Sequence, residues 1–245
     1  MRTIRPTLRV VLTLLASCLG LAAAPATAET VVRFSIGTTF FDVELTSDPA
    51  LATTVNNFVN YVNTGRYTNT LIHRSTTDNP ANIQIIQGGG FVLDGLSIDP
   101  IATDAPIPLQ VKYSNTRGTI AMARLDDYPT PNPNSATSGW FFNVTDNPSL
   151  DGNYAVFGIV TDLASLDVID AIAAVPVYDV SSQLGGPFIE MPLLNYTPPN
   201  PVNTSNLVLI TSIAPVPEPS TLVLAGVGLA AAAFTAARRS RRVAR

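Results

Sequence analysis

Alternation of apolar and polar side chains over residues 30–45 is the feature that most constrains how this chain folds. The apolar positions recur at every second residue on both sides of Gly37-Thr38-Thr39. They are Val32, Phe34 and Ile36 before the glycine, and Phe41, Val43 and Leu45 after it. A period of two that is interrupted by a glycine is typical of a β-hairpin with one buried face. The pattern therefore predicts a hairpin.

Two segments show helical periodicity instead. Asp48 and Pro49 supply a capping carboxylate and a first-turn proline, and Gly65 ends the segment that they begin. Between them, Val55, Phe58, Val59 and Val62 are spaced to form one apolar face of a helix. A second predicted helix covers residues 163–174, and its inward side chains are Leu166, Ile169 and Ile172.

Further short apolar runs predict additional strands. These runs cover residues 83–86, 118–123, 140–144, 155–160 and 206–213. Residues 176–205 are rich in proline, glycine and asparagine, and they predict a long irregular loop. Many short strands with only two helices favour a mainly β fold, either a closed antiparallel barrel or a sandwich.

The first 28 residues have the order of a secretory signal peptide. Basic residues are followed by an apolar stretch and then by Ala26-Thr27-Ala28, where small side chains suit signal peptidase. We expect cleavage after Ala28. An alternative is that Leu15-Ala16-Ser17-Cys18 acts as a lipobox, in which case Cys18 would be lipidated.

Residues 214–245 have three parts in a fixed order. Pro217-Glu218-Pro219 comes first, residues 219–237 then carry no charge, and a cluster of arginines follows. The uncharged stretch is long enough to cross a bilayer, and the arginines would stop it on the cytoplasmic side. This order resembles the PEP-CTERM sorting signal of Gram-negative bacteria. The alternative is a plain C-terminal membrane anchor.

The distribution of charge argues against nucleic acid as a partner. Of 14 Lys and Arg residues, eight lie at the two ends, and six remain in the interior with all 18 carboxylates. Nucleic-acid binding needs a basic surface. One His and one Cys also exclude zinc fingers and an intramolecular disulfide. A Ser-His-Asp triad would have to use His73, and no nucleophile-elbow motif accompanies it.

Nine short motifs occur in one order along the interior. They are FDVEL at 41–45, TVNNF at 54–58, IHR at 72–74, IIQGGG at 85–90, GTIAMAR at 118–124, NSATS at 134–138, FFNV at 141–144, LDG at 150–152 and YAVFG at 154–158. Together they resemble the cyclophilin-type peptidyl-prolyl cis-trans isomerases over residues 31–213. The resemblance implies a closed eight-stranded antiparallel barrel capped by two α-helices, formed by a domain at residues 29–213.

The resemblance also implies a set of site residues. Arg74 would be the catalytic residue that stabilises the twisted amide, and Gln87 would contact the substrate carbonyl. For substrate binding, Ile85, Phe141 and Leu150 would form the apolar wall of the proline pocket, and Phe157 would support its floor. The backbone at Ala123 and Arg124 would hold the peptide on the far side. Tyr154 stands where bacterial members of the family carry a tyrosine. His73 would be structural. No cofactor and no metal are implied, and we expect a monomer.

Several positions depart from the family pattern. The segment between Arg74 and Gln87 is about five residues longer than usual, Gln84 stands where a pocket phenylalanine is expected, Gly139 replaces a glutamine, and Ser149 replaces a rim aromatic. Two functions are therefore open. The first is an isomerase acting on X-Pro bonds of exported or cell-surface proteins, and the second is a weakly catalytic module that binds proline-containing segments.

The expected partners follow from the predicted family and from the two predicted terminal signals. They are proline-containing peptide segments, with signal peptidase and an exosortase as processing enzymes. The chain would insert transiently in the inner membrane and then reach the cell surface or the extracellular matrix of a Gram-negative bacterium.

Overall fold

The structure is a computed structural model that describes residues 30–76, 82–125 and 132–217. Its strands are β1 (Thr30–Ile36), β2 (Thr39–Leu45), β3 (Thr70–Thr76), β4 (Ile85–Asp94), β5 (Ser97–Pro100), β6 (Thr119–Met122), β7 (Trp140–Asn143), β8 (Val156–Val160), β9 (Val177–Tyr178), β10 (Met191–Pro192), β11 (Leu209–Ile210) and β12 (Ser212–Pro215). Its helices are α1 (Ala52–Asn63), α2 (Leu163–Ala173) and the single turn α3 (Ser181–Leu184).

The main sheet is an antiparallel barrel. Its strand order is β11-β3-β4-β7-β6-β8-β2-β1-β12, and β5 pairs with β4 outside this path. The first and last strands of this order, β11 and β12, are consecutive in the sequence and are separated only by Thr211. The Thr211 N–H donates to Ser35 O of β1 at 2.8 Å, which continues the pairing across this junction. Nine strands along the path therefore give the eight-stranded closure that the resemblance implies, since β11 and β12 are the two halves of one bent strand.

The predicted hairpin is confirmed. Strands β1 and β2 pair from Thr30 opposite Leu45 to Ile36 opposite Thr39. Gly37 forms the turn with a φ of 55°, which glycine adopts at low cost. The alternating apolar side chains face the barrel interior, where Phe34 and Phe41 stack with ring centroids 4.8 Å apart.

Aromatic rings fill the barrel interior. Phe34 meets the edge of Trp140 at 5.2 Å and that of Phe142 at 5.4 Å. All of these rings are fully buried. The burial of each ring contributes about 2–3 kcal/mol to stability. The glycine run of β4 makes this packing possible, because a Cβ on Gly88 would lie 2.5 Å from Trp140.

The two predicted helices are present at the predicted places. Asp48 Oδ1 accepts from Ala50 N at 2.9 Å and caps a 3₁₀ turn that leads into α1. Phe58 and Val62 are buried against the barrel, and Val55 and Val59 pack on the same core. Helix α2 begins at a second aspartate cap and ends within one residue of the predicted end; Ile169 and Ile172 are buried, and Leu166 packs on the core.

The prediction of an irregular loop over residues 176–205 is wrong in part. This segment contains β9, α3 and β10, and β9 and β10 pair with each other. Its apolar side chains form a second cluster with Leu71 of β3 and with Leu207, which precedes β11; the buried members are Leu71, Val180, Phe188, Met191, Leu193, Tyr196 and Leu207. The hydropathy pattern does not predict this cluster, because its apolar residues occur singly among prolines and glycines and do not repeat every two or every 3.6 residues.

The predicted signal peptide and residues 218–245 of the C-terminal signal lie outside the described residues. The apolar stretch at 219–237 is therefore still a sequence prediction. Among the residues that the structure does describe, no helix is both long enough and apolar enough to cross a bilayer.

Candidate active site

A cleft of about 320 Å³ on the outside of the barrel gathers most of the expected site residues. It is lined by Arg74, Thr76, Ile83, Ile85, Gln87, Ala123, Arg124, Phe141, Leu150 and Tyr154. Eight of the nine residues that the resemblance singles out are in this set, and Phe157 is the exception. Strands β3, β4 and β7 and the segment after β6 supply the walls.

A bulge in β3 aims Arg74 at the cleft. Ile72 pairs with Gly88 and Arg74 pairs with Gln87, so β3 uses one more residue than β4 between these two pairs. In an uninterrupted strand Arg74 would share the face of Ile72, which is fully buried in the barrel core. Because of the extra residue, the Arg74 side chain points to the opposite face of the sheet, towards the cleft, where it is 41% exposed.

Arg74 and Gln87 face each other across the β3–β4 pair. Arg74 Nη1 donates to Gln87 Oε1 at 3.4 Å, and Arg74 Nε donates to Glu190 Oε2 at 2.8 Å. The guanidinium is thus oriented by an amide on one side and a carboxylate on the other, next to an apolar surface.

That apolar surface is a separate small cluster on the outside of the barrel. Its buried members are Ile85, Ala121, Phe141, Leu150 and Val156, with Ile83, Ala123 and Tyr154 packed against them. Tyr154 meets Phe141 edge-on at 5.3 Å. The Arg124 guanidinium lies 5.0 Å from the Tyr154 ring, so a second cation borders the cleft.

Phe157 does not line this cleft, which corrects the expectation for that residue. It is fully buried in the barrel core, where its ring lies 5.1 Å from Phe58. The reason is the alternation along β8: Val156 faces the cleft cluster, and its neighbour Phe157 faces the interior.

Three residues at the cleft were not predicted from the sequence. Ile83 and Thr76 line it, and Thr76 Oγ1 joins them by donating to Ile83 O at 3.0 Å. Glu190 reaches Arg74 from the segment predicted as a loop. Ile83 belongs to a predicted strand, so its apolar character was a usable signal, whereas Glu190 is 116 residues from Arg74 and carries no motif.

The departures from the family pattern have distinct structural settings. The backbone of Gln84 is bound to Asn147, which donates from Nδ2 to Gln84 O at 3.1 Å and accepts from Gln84 N at 3.0 Å. Gly139 O accepts from Ala123 N at 2.9 Å, so it borders a cleft residue. Ser149 is exposed on the turn that precedes Leu150.

His73 is placed as a structural residue. It is 6% exposed and meets Phe91 edge-on at 5.0 Å. Burial is the main cause that lowers the pKa of His73 to about 4, and the charge of Arg74 adds to it. His73 is therefore neutral near pH 7 and is not suited to proton transfer at that pH.

A larger cavity, of about 840 Å³, lies elsewhere on the barrel. Its lining cation, Lys112, is paired with the Asp48 carboxylate, which also accepts from Tyr113 Oη at 2.9 Å. It lacks the combination found in the smaller cleft, where an oriented cation borders a buried apolar surface.

A barrel of this topology, with an oriented guanidinium beside an apolar surface in its outer cleft, has the architecture expected of the cyclophilin class. The sequence matches the family model described as cyclophilin type peptidyl-prolyl cis-trans isomerase/CLD over residues 31–189, and the PEP-CTERM protein-sorting motif over residues 215–242. The first match covers more than half of the chain. The protein therefore belongs to the cyclophilin type peptidyl-prolyl cis-trans isomerase family.

Curated relatives and solved structures agree with this assignment. The chain is 39% identical over 163 residues to a peptidyl-prolyl cis-trans isomerase of Acinetobacter baylyi, covering 64% of this chain and 78% of the relative. It is 36% identical over 173 residues to peptidyl-prolyl cis-trans isomerase A of Dickeya dadantii, covering 67% and 80%. A cyclophilin-type isomerase structure from Cryptosporidium parvum shares the fold, with a TM-score of 0.53 at 20% identity over 78% of this chain and 100% of that one.

Proposed function

We propose that the protein catalyses cis-trans isomerisation of X-Pro bonds in exported proteins, with Arg74 stabilising the twisted amide. One observation carries the proposal: the Arg74 guanidinium is held against Gln87 at the edge of the Phe141 and Leu150 surface. This arrangement can hold a proline ring and place a hydrogen-bond donor beside it. The C-terminal sorting motif supports export.

The chemistry needs no covalent intermediate. Rotation about a peptide bond meets a barrier of about 20 kcal/mol, because the nitrogen lone pair is delocalised into the carbonyl. At X-Pro bonds the two isomers differ by only about 1 kcal/mol, so the catalyst has to change the rate alone. When the bond twists, the lone pair localises on the proline nitrogen and becomes a good hydrogen-bond acceptor.

Arg74 can use this difference between the planar and twisted amide. A guanidinium beside the nitrogen donates strongly to the twisted form and weakly to the planar one, which is differential stabilisation of the transition state. Gln87 would bind the substrate carbonyl. Ile85, Phe141 and Leu150 would hold the proline ring, and the backbone at Ala123 and Arg124 would hold the peptide on the opposite side.

The decisive test is a protease-coupled isomerisation assay of the purified protein and of Arg74→Ala. We expect Arg74→Ala to keep its circular dichroism spectrum and to lose at least about tenfold in kcat/KM. Arg33→Ala is the matched control, because Arg33 is also half-exposed and paired with a carboxylate, Asp42, but it lies on β1 away from the cleft. Wild-type kcat/KM in Arg74→Ala would refute the catalytic role.

Binding without useful turnover is the second candidate, and Gly139 favours it. A glutamine at this position would add a hydrogen-bonding amide next to Ala123, and glycine supplies none. A wild-type protein that binds proline peptides in calorimetry but does not accelerate their isomerisation would establish this alternative and overturn the first.

A further inference from the structure

Glu190 is the carboxylate that meets Arg74. Its Oε2 accepts from Arg74 Nε at 2.8 Å, and the two side chains are 32% and 41% exposed. Ion pairs with this much exposure generally contribute little to stability. This pair differs from an ordinary surface pair because the backbone of Glu190 is hydrogen-bonded and packed next to Arg74.

The backbone of Glu190 is bound to the catalytic strand itself. Ser75, the residue after Arg74, donates its N–H to Glu190 O at 2.9 Å. On either side, Phe188 and Met191 are buried, and Phe188 contacts Phe91 of β4 at 4.9 Å between ring centroids. The carboxylate therefore projects from a segment that is packed onto β3 and β4, rather than from a free surface loop.

The two contacts of the guanidinium engage different nitrogens. Nε donates to Glu190 Oε2, and Nη1 donates to Gln87 Oε1 at 3.4 Å. Because the guanidinium is planar and rigid, contacts at two of its nitrogens fix the orientation of the whole group. Since Glu190 binds only Nε, the terminal nitrogens Nη1 and Nη2 can donate to Gln87 and to a substrate.

We propose that Glu190 is a positioning residue for the isomerase reaction: it fixes the rotamer of Arg74 so that the guanidinium is already aimed at the proline nitrogen. The inference rests on the proposed function and extends it to a residue one position beyond the segment that matches the family model, which ends at residue 189. Preorganised groups accelerate reactions because their ordering cost is not incurred during the reaction.

The orientation of Arg74 can be measured without any reaction. In ¹H–¹⁵N spectra of arginine side chains, the Arg74 Nε–H signal, assigned with Arg74→Lys, should show a high heteronuclear NOE in the wild type. We expect the NOE to drop in Glu190→Ala and to stay high in Glu190→Gln, whose amide oxygen still accepts from Nε. Asp170→Ala is the matched control, since it breaks the Arg117–Asp170 pair of similar exposure far from the cleft. An unchanged Arg74 NOE in Glu190→Ala overturns the proposal.

Kinetics then connect this orientation to turnover. Glu190→Ala should lose roughly tenfold in kcat with little change in KM, and Glu190→Gln should recover most of the loss. Wild-type kcat in Glu190→Ala, or equal losses in both variants, would contradict positioning. If the wild type itself does not isomerise X-Pro bonds, the proposed function fails, and the NOE series still decides whether Glu190 orients Arg74.

Discussion

His73 and Arg74 are neighbours in the chain and meet opposite environments. The bulge at this point leaves His73 against Phe91 inside the fold and turns Arg74 outward to the cleft. The sequence motif alone predicts both roles, but it does not explain them. The physical reason is one extra residue in β3, which no hydropathy pattern reveals because a bulge depends on the pairing partner.

The buried His73 should make stability depend on pH. Its pKa is lowered from 6.5 to about 4 in the folded protein, mainly by burial. A lowered folded-state pKa gives stability that is present above pH 6.5 and is lost as the pH falls towards 4, because the unfolded chain takes up the proton first. The free energy of unfolding should fall by up to ~3 kcal/mol over this range.

Urea denaturation at several pH values tests this, with His73→Gln as the control. The variant should lose most of the pH dependence between 6.5 and 4. Carboxylates with lowered pKa values, such as Asp104 and Asp170, start to lose their contribution at about pH 5 as the unfolded carboxyls take up protons, but both proteins share this loss. Parallel stability curves for the two proteins would contradict the assignment to His73.

Gly139 offers a gain-of-function test at the cleft. Its φ is not in the left-handed region, so the backbone accepts a side chain, although a Cβ would lie 3.3 Å from Ala123 Cβ. We expect Gly139→Gln to raise kcat/KM severalfold, because the added amide can bind the substrate; one hydrogen bond is worth about 1 kcal/mol. Gly139→Ala separates the packing cost from the effect of the amide. An unchanged rate in a folded Gly139→Gln protein would show that this departure does not limit catalysis.

At the scale of elements, the glycine run of β4 allows the close approach of Trp140. Gly89 has a φ of 73°, and a Cβ there would lie 2.5 Å from Trp140 Nε1 and 2.7 Å from Ser138 O. Gly89→Ala should therefore destabilise the barrel by about 3 kcal/mol, through overpacking and an unfavourable φ together. Gly37→Ala is the control: its φ is also positive, but nothing lies within 4 Å, so only about 1 kcal/mol should be lost. Equal losses in urea denaturation would exclude overpacking against Trp140.

The elements differ in how far their sequences predict them. The hairpin and both long helices follow from periodicity, because each is long enough to show a repeated apolar face. Strands β9 and β10 have two residues each, and their stability comes from packing on Leu71 and Phe91 rather than from any local pattern. Glu190 lies in this unpredicted region, which is why the cleft could be predicted without the carboxylate that contacts its central arginine.

For the whole molecule, charge links the barrel to its sorting. Arg238, Arg239, Arg241, Arg242 and Arg245 belong to the C-terminal signal. The domain at residues 29–213 carries only six cations, against 17 of the 18 carboxylates: Arg33, Arg66, Arg74, Lys112, Arg117 and Arg124. Five of these cations are paired with carboxylates in the described residues: Arg33, Arg66, Arg74, Lys112 and Arg117. A chain that loses its C-terminal signal would be strongly acidic, which favours solubility and repels anionic surfaces.

The C-terminal signal should be removed when the protein is sorted. The match to the sorting motif begins at residue 215, immediately where β12 ends, so cleavage after the barrel would leave its closing strand intact. We expect the protein from its native host to start after Ala28 and to end near residues 217–221. Intact-mass spectrometry measures both ends at once, and deletion of the exosortase gene is the control that should restore the longer chain. A C-terminus at Arg245 in the wild-type host would show a plain membrane anchor, because a processed chain cannot retain the arginine cluster, and it would leave the isomerase chemistry of the cleft unaffected.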